Sequence, residues 1–519
     1  MPENNQPIDR KFEALTGREK DVRETRAHLK LLLSLFAVIV AASIFVWNTS
    51  PGVRSALTGP TITPTRPTQT PQPTVTSTPT YAVQVNWYIG FLGTGGHPPQ
   101  IPPKKAFIEK YNSTQGLVDG IQLIGHHVGS RYASDDLLGR IDYGESVDIV
   151  GPMMTNEDHG WFKDYILNLE PLVDKYGYDL SGADPALLDF YKRDNGLISL
   201  PFVVYSSALF YNKDLFDQAG LAYPPHKVDE KYILDGVEVD WSFETVAEIA
   251  RRMTLDANGL RANEPGFDAS KIVQYGFDFQ WSKDSTLWFS AYFEPYYPVK
   301  DGKADLSPGQ IAAIKWYYDG MWGRQPFIPT QVAMDSDLIQ ENSFDSGKVA
   351  MGLTHLWYTC CITSSSDPEA RVRNWNVAVV PSYNGRITAK IHADSFVIST
   401  ASKNPEAAFK VYKYLIGDGA LELSDIYGGL LADGRNRVTL FAALDEKFAP
   451  NKVDWQVFID MIPYLDVPSH ALFLPNYAKA HHRFLSFGSD LRTNHDFDID
   501  AAIAQFLIDQ TAIYNEPPQ

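Results

Sequence analysis

The stretch LPFVVYSSALFYNKDLFDQAGL, residues 200–221, joins a strand pattern directly to a short helix pattern. Its first half is rich in Phe, Val and Tyr, which favour strands, and Pro201 stands at the strand start, where a missing N–H is tolerated. Asn212 ends the strand, Asp214 is predicted to cap the helix, and Gly220 to end it. The stretch therefore predicts a strand, a turn and a short amphipathic helix, and the fold must explain why they follow so closely.

The composition indicates a globular protein and excludes one class of partner. The chain has 519 residues, 44% of them apolar and 21% charged, which is enough for one large or two medium domains. The net charge of −18 disfavours nucleic acid, because phosphate binding needs an excess of Lys and Arg. Aromatic residues make up 13%, which suggests surfaces that stack on flat ligands such as sugar rings.

The N-terminal region contains the uncharged run LLLSLFAVIVAASIFVW, which begins at Leu31 and ends at Trp47. Its 17 residues reach the lower limit for a membrane-spanning helix. The basic residues concentrate before it, which predicts a cytoplasmic tail over 1–30, a transmembrane anchor over 31–47 and an extracytoplasmic remainder; they are Arg18, Lys20, Arg23, Arg26 and Lys30. A signal peptide cleaved near Ala42 is the alternative.

Residues 48–80 are dominated by Thr and Pro, as in GPTITPTRPTQTPQPTVTSTPT. Nothing in this segment can build a core, and its prolines favour an extended polyproline conformation. At about 3.1 Å per residue it could hold a domain roughly 100 Å from a membrane. We therefore interpret it as a linker between the predicted anchor and a domain over 81–519.

The domain opens with an α/β pattern. YAVQVNWYIGFLGTGG, from residue 81, reads as a strand that ends in glycines, a helical pattern follows over 102–111, and SVDIVGP at 146–152 reads as a second buried strand. In parallel sheets the loops after the carboxyl ends of the strands collect ligand groups. That rule directs attention to residues 87–96 and 151–156. Further amphipathic helices are predicted over 240–254 and 403–417.

A search for catalytic and metal motifs finds little. The sequence lacks G-x-S-x-G, H-E-x-x-H, C-x-x-C and the phosphate-binding G-x-x-x-x-G-K-[ST] motif, and we predict no cofactor. DANGLRANEPGFD, residues 256–268, resembles a calcium loop in Asp256, Asn258 and Asp268. Its Gly comes too early for a hand-type loop and no bidentate Glu closes it, so an ordinary surface turn is the competing interpretation.

Three segments together carry a resemblance to a known family: the stretch at 200–221, SFDSGKVAMGLTHLW at 343–357, and ADSFVISTASKNPEAAFKVYKYLIG at 393–417. In order and content they resemble the extracellular solute-binding proteins of ABC importers, in the carbohydrate-binding group that includes maltose-binding protein. The resemblance covers nearly all of 81–519. It implies a type II periplasmic-binding-protein-like α/β fold, preceded here by the predicted transmembrane helix, with two lobes, a hinge and an interlobe cleft.

The resemblance also implies how the chain passes between the lobes. Residues 200–211 would be the first crossing strand, 351–357 a strand that ends at the cleft, and 379–397 the return crossing. Both lobes would then be discontinuous in sequence. The expected boundaries are about 81–205 with 392–432 for lobe 1, and 206–391 with 433–519 for lobe 2.

The predicted site combines aromatic plates with polar groups. Sugars present apolar C–H faces and a rim of hydroxyls, so their pockets need flat rings flanked by carboxylates and amides. The resemblance places Trp357 as a stacking platform and Tyr205 in the cleft, and Asp278 is a further rim candidate. The full set of predicted ligand-binding residues is Trp87, Tyr88, Gly95, Gly151, Tyr205, Trp281, Trp357, Tyr358 and Asp394.

We interpret the chain as a membrane-tethered binding protein, not an enzyme, that captures a carbohydrate and delivers it to ABC permease subunits. A surface glycoside hydrolase is the rival from another class, and it would need two carboxylates about 5 to 9.5 Å apart across the cleft. A membrane-bound sugar sensor is a third interpretation, although residues 1–30 hold no signalling domain.

The only two cysteines of the chain are adjacent, Cys360 and Cys361 in WYTCCIT. An extracytoplasmic location permits a disulfide. The adjacent Cα atoms, about 3.8 Å apart, are closer than usual for such a bond, which favours two free thiols. Two free thiols would be an oxidation liability, and a bonded ring would form a rigid plate near Trp357. Both states stay open on sequence alone.

Overall fold

The structure is a computed structural model, and it describes residues 81–89, 100–127, 133–153, 162–181, 185–193, 196–340, 342–469 and 474–517. The predicted anchor at 31–47, the linker at 48–80 and Gly95 lie outside these residues. Within the described part of the chain, no helix is long and apolar enough to cross a membrane.

Strands and helices alternate along the described chain, as the α/β pattern predicts. The strands are β1 Val83–Ile89, β2 Ile121–His127, β3 Ile149–Met153, β4 Lys192–Arg193, β5 Gly196–Leu197, β6 Val203–Asn212, β7 Tyr232–Leu234, β8 Val237–Val239, β9 Leu255–Asp256, β10 Ile272–Asp278, β11 Val299–Lys300, β12 Lys303–Ala304, β13 Val349–His355, β14 Trp375–Ala378, β15 Ile391–Ile398 and β16 Leu430–Leu431.

Helices lie between and beside the strands along the described chain, and several are short. They are α1 Ile101–Ser113, α2 Gln115–Asp119, α3 Ala133–Asp142, α4 Glu170–Tyr176, α5 Pro185–Phe190, α6 Lys213–Ala219, α7 Phe243–Met253, α8 Thr286–Ser290, α9 Pro308–Trp322, α10 Gln331–Met334, α11 Pro405–Ile416, α12 Ala420–Tyr427, α13 Arg437–Lys447, α14 Gln456–Asp460, α15 Tyr477–Thr493 and α16 Ile499–Tyr514. Single 3-10 turns include Ser282–Asp284 and Leu356–Cys360.

One mixed sheet organises the domain, with its strands in the order β2, β1, β3, β15, β6, β13, β10 and β9. β1 pairs in parallel with β2 and β3, and β10 pairs in parallel with β13. β14 and β16 also pair with β6. The sheet therefore consists of two groups of parallel strands that antiparallel strands join in the middle.

Strand β6 belongs to both groups, and this explains the stretch at 200–221. Its first residues, 203–206, pair with β15 and β16, whereas 207–212 pair with β13 and β14. All ten of its residues are buried. The strand begins three residues later than the sequence predicts and ends at Asn212, and β15 returns along it in the opposite direction.

The turn after β6 corrects one prediction. Asn212, not Asp214, caps helix α6: its Oδ1 accepts the Leu215 N–H at 3.3 Å, and its backbone is extended. Asp214 lies in the first helical turn instead, where its charge complements the helix dipole. Gly220 ends the helix in the left-handed conformation, as predicted.

The two predicted amphipathic helices are confirmed with shorter bounds. The first is α7, which Ser242 caps by accepting the Thr245 N–H at 3.3 Å, and the second is α11. The predicted return crossing at 379–397 is only partly a strand, because β15 begins at Ile391. The predicted strand at 351–357 also differs: it is β13, which ends at His355, and the next residues form a 3-10 turn.

Candidate ligand-binding site

Two tryptophans lie at the same edge of the sheet because they follow parallel neighbouring strands. β10 and β13 run side by side, so their carboxyl ends meet. Trp281 lies in the turn after β10, and Trp357 in the 3-10 turn after β13. Both are partly exposed, which distinguishes them from the buried aromatic residues of the core.

Four aromatic rings form what we call the aromatic side: Trp281, His355, Trp357 and Tyr358. The two indoles lie 5.7 Å apart between ring centres and 11° from parallel. The buried Tyr358 meets Trp281 edge-on at 5.3 Å, and the buried His355 lies nearly parallel to Trp357 at 5.6 Å. The arrangement fixes the orientation of both indole planes.

His392 extends the Trp357 plane sideways. The indole Nε1–H donates to His392 Nδ1 at 2.9 Å, and the two rings are 18° from parallel. Because both the N–H and the imidazole lone pair lie in their ring planes, the two rings sit side by side. The indole can only donate, so this bond requires an imidazole without a proton on Nδ1. His355 stacks on His392 at 3.9 Å and covers one face.

A second, polar group lies nearby, and we call its members, Tyr205, Asp394 and Tyr427, the polar side. Tyr205 and Asp394 come from strands in the middle of the sheet, and Tyr427 is the last residue of helix α12. Tyr205 on β6 pairs with His392 on β15, and Asp394 follows two residues later on the same face. Tyr205 and Asp394 are each 5% exposed. Burial, with the charge of Asp394 as a second cause, raises the pKa of both tyrosines well above the usual value, so both hydroxyls keep their protons.

The Tyr205 hydroxyl also depends on a glycine. A Cβ added at Gly429 would lie 2.7 Å from the Tyr205 oxygen, which is closer than side-chain contacts allow. Any larger residue there would therefore displace the hydroxyl. The polar side thus offers two phenolic donors and a carboxyl group within a closely packed setting.

Buried charged groups hold the turn that carries Trp281. Trp281 has a φ of 57°, a left-handed conformation that few non-glycine residues adopt. Lys283 Nζ lies 3.0 Å from Asp278 Oδ2, Ser343 donates to the same oxygen, and Arg492 donates to the Lys283 carbonyl at 2.6 Å. Asp278 is fully buried in this ion pair. It therefore supports the turn and does not belong to a ligand rim, contrary to the prediction.

Two of the predicted aromatic plates lie in the core. Trp87 has no exposed surface, packs between Phe107 and Phe396, and donates its Nε1–H to the Gly151 carbonyl at 2.8 Å. Tyr88 is 2% exposed and stacks on His126 at 4.6 Å. Trp87 and Gly151 are thus brought together, but inside the first group of strands and not with Trp357.

The predicted calcium residues form a self-contained turn. The Asp256 carboxylate accepts backbone N–H groups from Asn258, Leu260 and Asp268 at 2.8 to 2.9 Å. Asp268 in turn binds Ser270 and Lys271. Among the residues that the structure describes, no group of three or more His, Cys, Asp or Glu side chains is placed to hold a metal ion.

The sulfur atoms of Cys360 and Cys361 are bonded to each other. Cys360 is exposed and Cys361 partly exposed, at the end of the same 3-10 turn that carries Trp357. The bonded ring therefore lies beside the aromatic side.

Several residues near the site escaped the sequence reasoning. His355 and His392 look like ordinary strand residues, although the spacing of His392 and Asp394 puts both on one strand face. A second aromatic group follows Trp281 along the chain: Tyr477 stacks on His481 at 5.5 Å, and the Trp288 ring meets His481 at 5.6 Å with a tilt of 38°. Burial lowers the pKa of His481 to about 4. These partners come from distant segments, so no local pattern reveals them.

The sequence model of the family described as bacterial extracellular solute-binding protein matches residues 146–422, more than half of the chain. The chain belongs to this family. The match includes β6, both tryptophans of the aromatic side and the Asp394 strand. The family assignment that the three sequence segments suggested is thereby confirmed.

Curated relatives of this solute-binding protein include putative binding proteins of Brucella abortus and Brucella suis. Each is 28% identical over 233 residues, which cover 43% of this chain and 47% of the relative. The matched segment thus spans about half the length of the curated relatives.

Solved structures share the fold of this solute-binding protein. UspC of M. tuberculosis matches with a TM-score of 0.61 and 17% identity, covering 83% of this chain and 100% of that one. The sugar-binding protein MalE of Xanthomonas citri matches with a TM-score of 0.61 and 14% identity, covering 83% and 97%. An ABC substrate-binding protein of Listeria monocytogenes, solved in complex with cycloalternan, matches with a TM-score of 0.59 and 17% identity, covering 83% and 98%. The two-lobe solute-binding fold is therefore established.

Proposed function

We propose that this solute-binding protein captures a carbohydrate between the aromatic side and the polar side. The observation that carries the proposal is the flat pair of Trp357 and His392, whose rings lie side by side through the 2.9 Å hydrogen bond. A sugar presents a C–H face to such a plate and its hydroxyls to donors and acceptors. Tyr205, directly opposite His392 in the ladder, and Asp394, two residues further along β15, supply these donors and acceptors.

The captured sugar is delivered to the permease subunits of an ABC importer. Family membership supports a binding role without catalysis, and two of the structural neighbours are sugar-binding or sugar-bound proteins. We place the lobe boundaries where the sequence predicts them, at about 81–205 with 392–432 and 206–391 with 433–519. Closure occurs by hinge motion where β6 and β15 cross. The change of ladder partners within β6 supports a boundary there.

The protein reaches its permease from a membrane tether. Residues 31–47 form the anchor, with a cytoplasmic tail before it and the extended 48–80 linker after it. The uncharged run and its basic flank support this topology. An alkaline carbonate wash of membranes tests it: the intact protein is expected to stay in the pellet, and its release would refute the anchor.

A thermal-shift screen tests the ligand class. Residues 79–519 form one compact unit and serve as the soluble fragment. Maltose, maltotriose, other sugars, amino acids and short peptides are each added in excess. A sugar at a hundred times its Kd is expected to stabilise the fragment by about 2.7 kcal/mol. Stabilisation by amino acids or peptides, with no shift for any sugar, would overturn the carbohydrate assignment.

A further inference from the structure

The Cys360–Cys361 bond closes a ring within the segment that carries the aromatic side. Trp357 and Tyr358 belong to the 3-10 turn Leu356–Cys360, and Cys361 follows as its C-terminal cap. The Cys361 N–H donates to the Tyr358 carbonyl at 2.9 Å. The disulfide therefore lies within one helical turn of both aromatic residues.

Asn342 links the disulfide ring to the aromatic side through two hydrogen bonds. Its Nδ2 donates to the Cys361 carbonyl at 2.9 Å, and its Oδ1 accepts the Tyr358 hydroxyl. The Tyr358 ring in turn meets Trp281 edge-on at 5.3 Å. The direction of the Cys361 carbonyl is thus coupled, through one amide side chain, to a ring that contacts Trp281.

Both flanks of the ring are anchored independently. Lys447 Nζ donates to the Thr359 carbonyl at 2.6 Å. On the other side, the Asp345 carboxylate accepts the backbone N–H of Thr363 at 2.9 Å and its hydroxyl at 2.8 Å. The dipeptide between these anchors is the part whose conformation the sulfur–sulfur bond itself restricts.

Reduction would change that dipeptide in a predictable direction. Two bonded sulfur atoms sit about 2 Å apart, whereas two thiols must separate to van der Waals contact. The separation requires new rotamers at both cysteines and a tilt of the intervening peptide. The Cys361 carbonyl then moves relative to Asn342. Because adjacent cysteines close almost no chain, their bond adds very little to the stability of the whole domain.

We propose that the Cys360–Cys361 disulfide is a positioning element of the ligand site: it holds the turn so that Trp357 and Tyr358 keep their places against Trp281. The proposal rests on the proposed function for its effect on ligand, but not for its effect on the rings. A small thiol reaches the exposed Cys360. Two equivalents of that thiol become one disulfide, supply two electrons and two protons, and leave two cysteine thiols.

The first test needs no ligand. Near-UV circular dichroism reports fixed aromatic packing. The disulfide adds a broad band of its own, so the tryptophan contribution is identified by its fine structure and by its loss in Trp281→Phe. The soluble fragment is measured oxidised and after treatment with dithiothreitol. We expect a weaker tryptophan band after reduction with an almost unchanged Tm. An unchanged band in the fully reduced protein, verified by the uptake of two alkylating groups, would overturn the proposal.

Variants distinguish the effect of losing the disulfide from other effects of the reductant. The double variant Cys360→Ser, Cys361→Ser is expected to show the weakened band from the start and no response to dithiothreitol. Asn342→Ala keeps the disulfide but removes its link to Tyr358, so it should weaken the band and blunt the response. Trp281→Phe should remove most of the reduction-dependent difference. A full response in Trp281→Phe would place the change elsewhere and refute the coupling.

The second test uses maltotriose and the best sugar from the thermal-shift screen as probes. We expect reduction to weaken binding about five- to twentyfold, chiefly through faster dissociation. Equal affinity in both redox states would refute the effect on ligand. If no sugar binds the oxidised protein, the carbohydrate assignment fails, while the dichroism result still decides whether the disulfide positions the rings.

Discussion

The aromatic side and the polar side of the site are built in different ways. Trp281 and Trp357 extend from turns beyond the ends of β10 and β13 and stay partly exposed. Tyr205 and Asp394 lie within the ladder of β6 and β15 and are almost fully buried. A change in a turn can leave the sheet intact, whereas a change within the ladder disturbs the strands that join the two groups. The aromatic side should therefore tolerate substitution better.

The aromatic side is less tolerant at one point, where the Trp281 turn depends on a buried ion pair. We expect the largest loss of stability there. Lys283→Met leaves the fully buried Asp278 carboxylate without its cationic partner. Breaking such a pair typically costs about 3–5 kcal/mol. Urea unfolding of the soluble fragment measures the free energy of unfolding.

An exposed ion pair supplies the control for Lys283→Met. Lys315 pairs with Asp500 at the surface, so Lys315→Met should cost less than about 1 kcal/mol. The double variant Asp278→Asn, Lys283→Met removes both charges and should recover part of the loss. A loss below about 1 kcal/mol for Lys283→Met would mean that the pair does not support the Trp281 turn.

The aromatic group around His481 should make the free energy of unfolding sensitive to acid. Burial, with His482 as a second cause, lowers the pKa of His481 to about 4, whereas the unfolded chain binds the proton near pH 6.5. Between these values the unfolded state holds more protons, so the free energy of unfolding falls as the pH drops through this window. The loss reaches up to about 3 kcal/mol and stops below the folded-state pKa.

His481→Phe tests this contribution by removing the titrating group while keeping a ring between Tyr477 and Trp288. We expect the variant to lose less stability than the parent when the pH falls from 7 to 4.5. His495→Gln, at an exposed position, should fall as steeply as the parent. Parallel losses for His481→Phe and the parent would show that this imidazole titrates normally.

The plate itself is tested by Trp357→Ala. The variant removes the flat surface that a sugar face would cover, and we expect a loss of about 1–3 kcal/mol in ligand binding. The free energy of unfolding should fall less, because Trp357 is already partly exposed. Titration calorimetry with the sugar identified by the screen gives the affinity, and urea unfolding gives the stability.

Trp322 offers a matched control for Trp357. It is also partly buried and also donates its Nε1–H, in this case to the Leu491 carbonyl at 2.8 Å, but it lies on α9, outside the aromatic and polar sides. Trp322→Ala should therefore reduce stability without reducing affinity. If Trp357→Ala lowered the ligand-free Tm more than Trp322→Ala and left the affinity unchanged, Trp357 would be a core residue.

The sequence predicted the strand and helix order well, because β6, α6, α7 and α11 follow from local periodicity and caps. The sequence distinguished aromatic residues of the core from those of the candidate site less well. Trp87 shares the alternation of Val85 and Ile89, which places it on the buried face of β1, whereas Trp357 lies beyond the end of its strand. This alternation could have identified Trp87 as a core residue from the sequence alone. The Asp278–Lys283 pair and the Trp357–His392 bond depend on tertiary folding, and no local pattern encodes them.

The smallest expected effect concerns the polar side. Tyr205→Phe removes one hydroxyl next to Gly429 and keeps the ring in the ladder. We expect a loss of about 1 kcal/mol in ligand binding, the usual contribution of one neutral hydrogen bond, and little change in the free energy of unfolding. Tyr275→Phe is the control, because Tyr275 is buried in a separate small cluster with Met334, Ile339 and Val349 and should leave the affinity unchanged. If Tyr205→Phe cost several kcal/mol of stability instead, its hydroxyl would belong to the architecture of the crossing strands, and the ligand would take its hydrogen bonds from Asp394. If neither affinity nor stability changed, Tyr205 would not belong to the site. Asp394 would then be the residue of the β6–β15 ladder that represents the polar side.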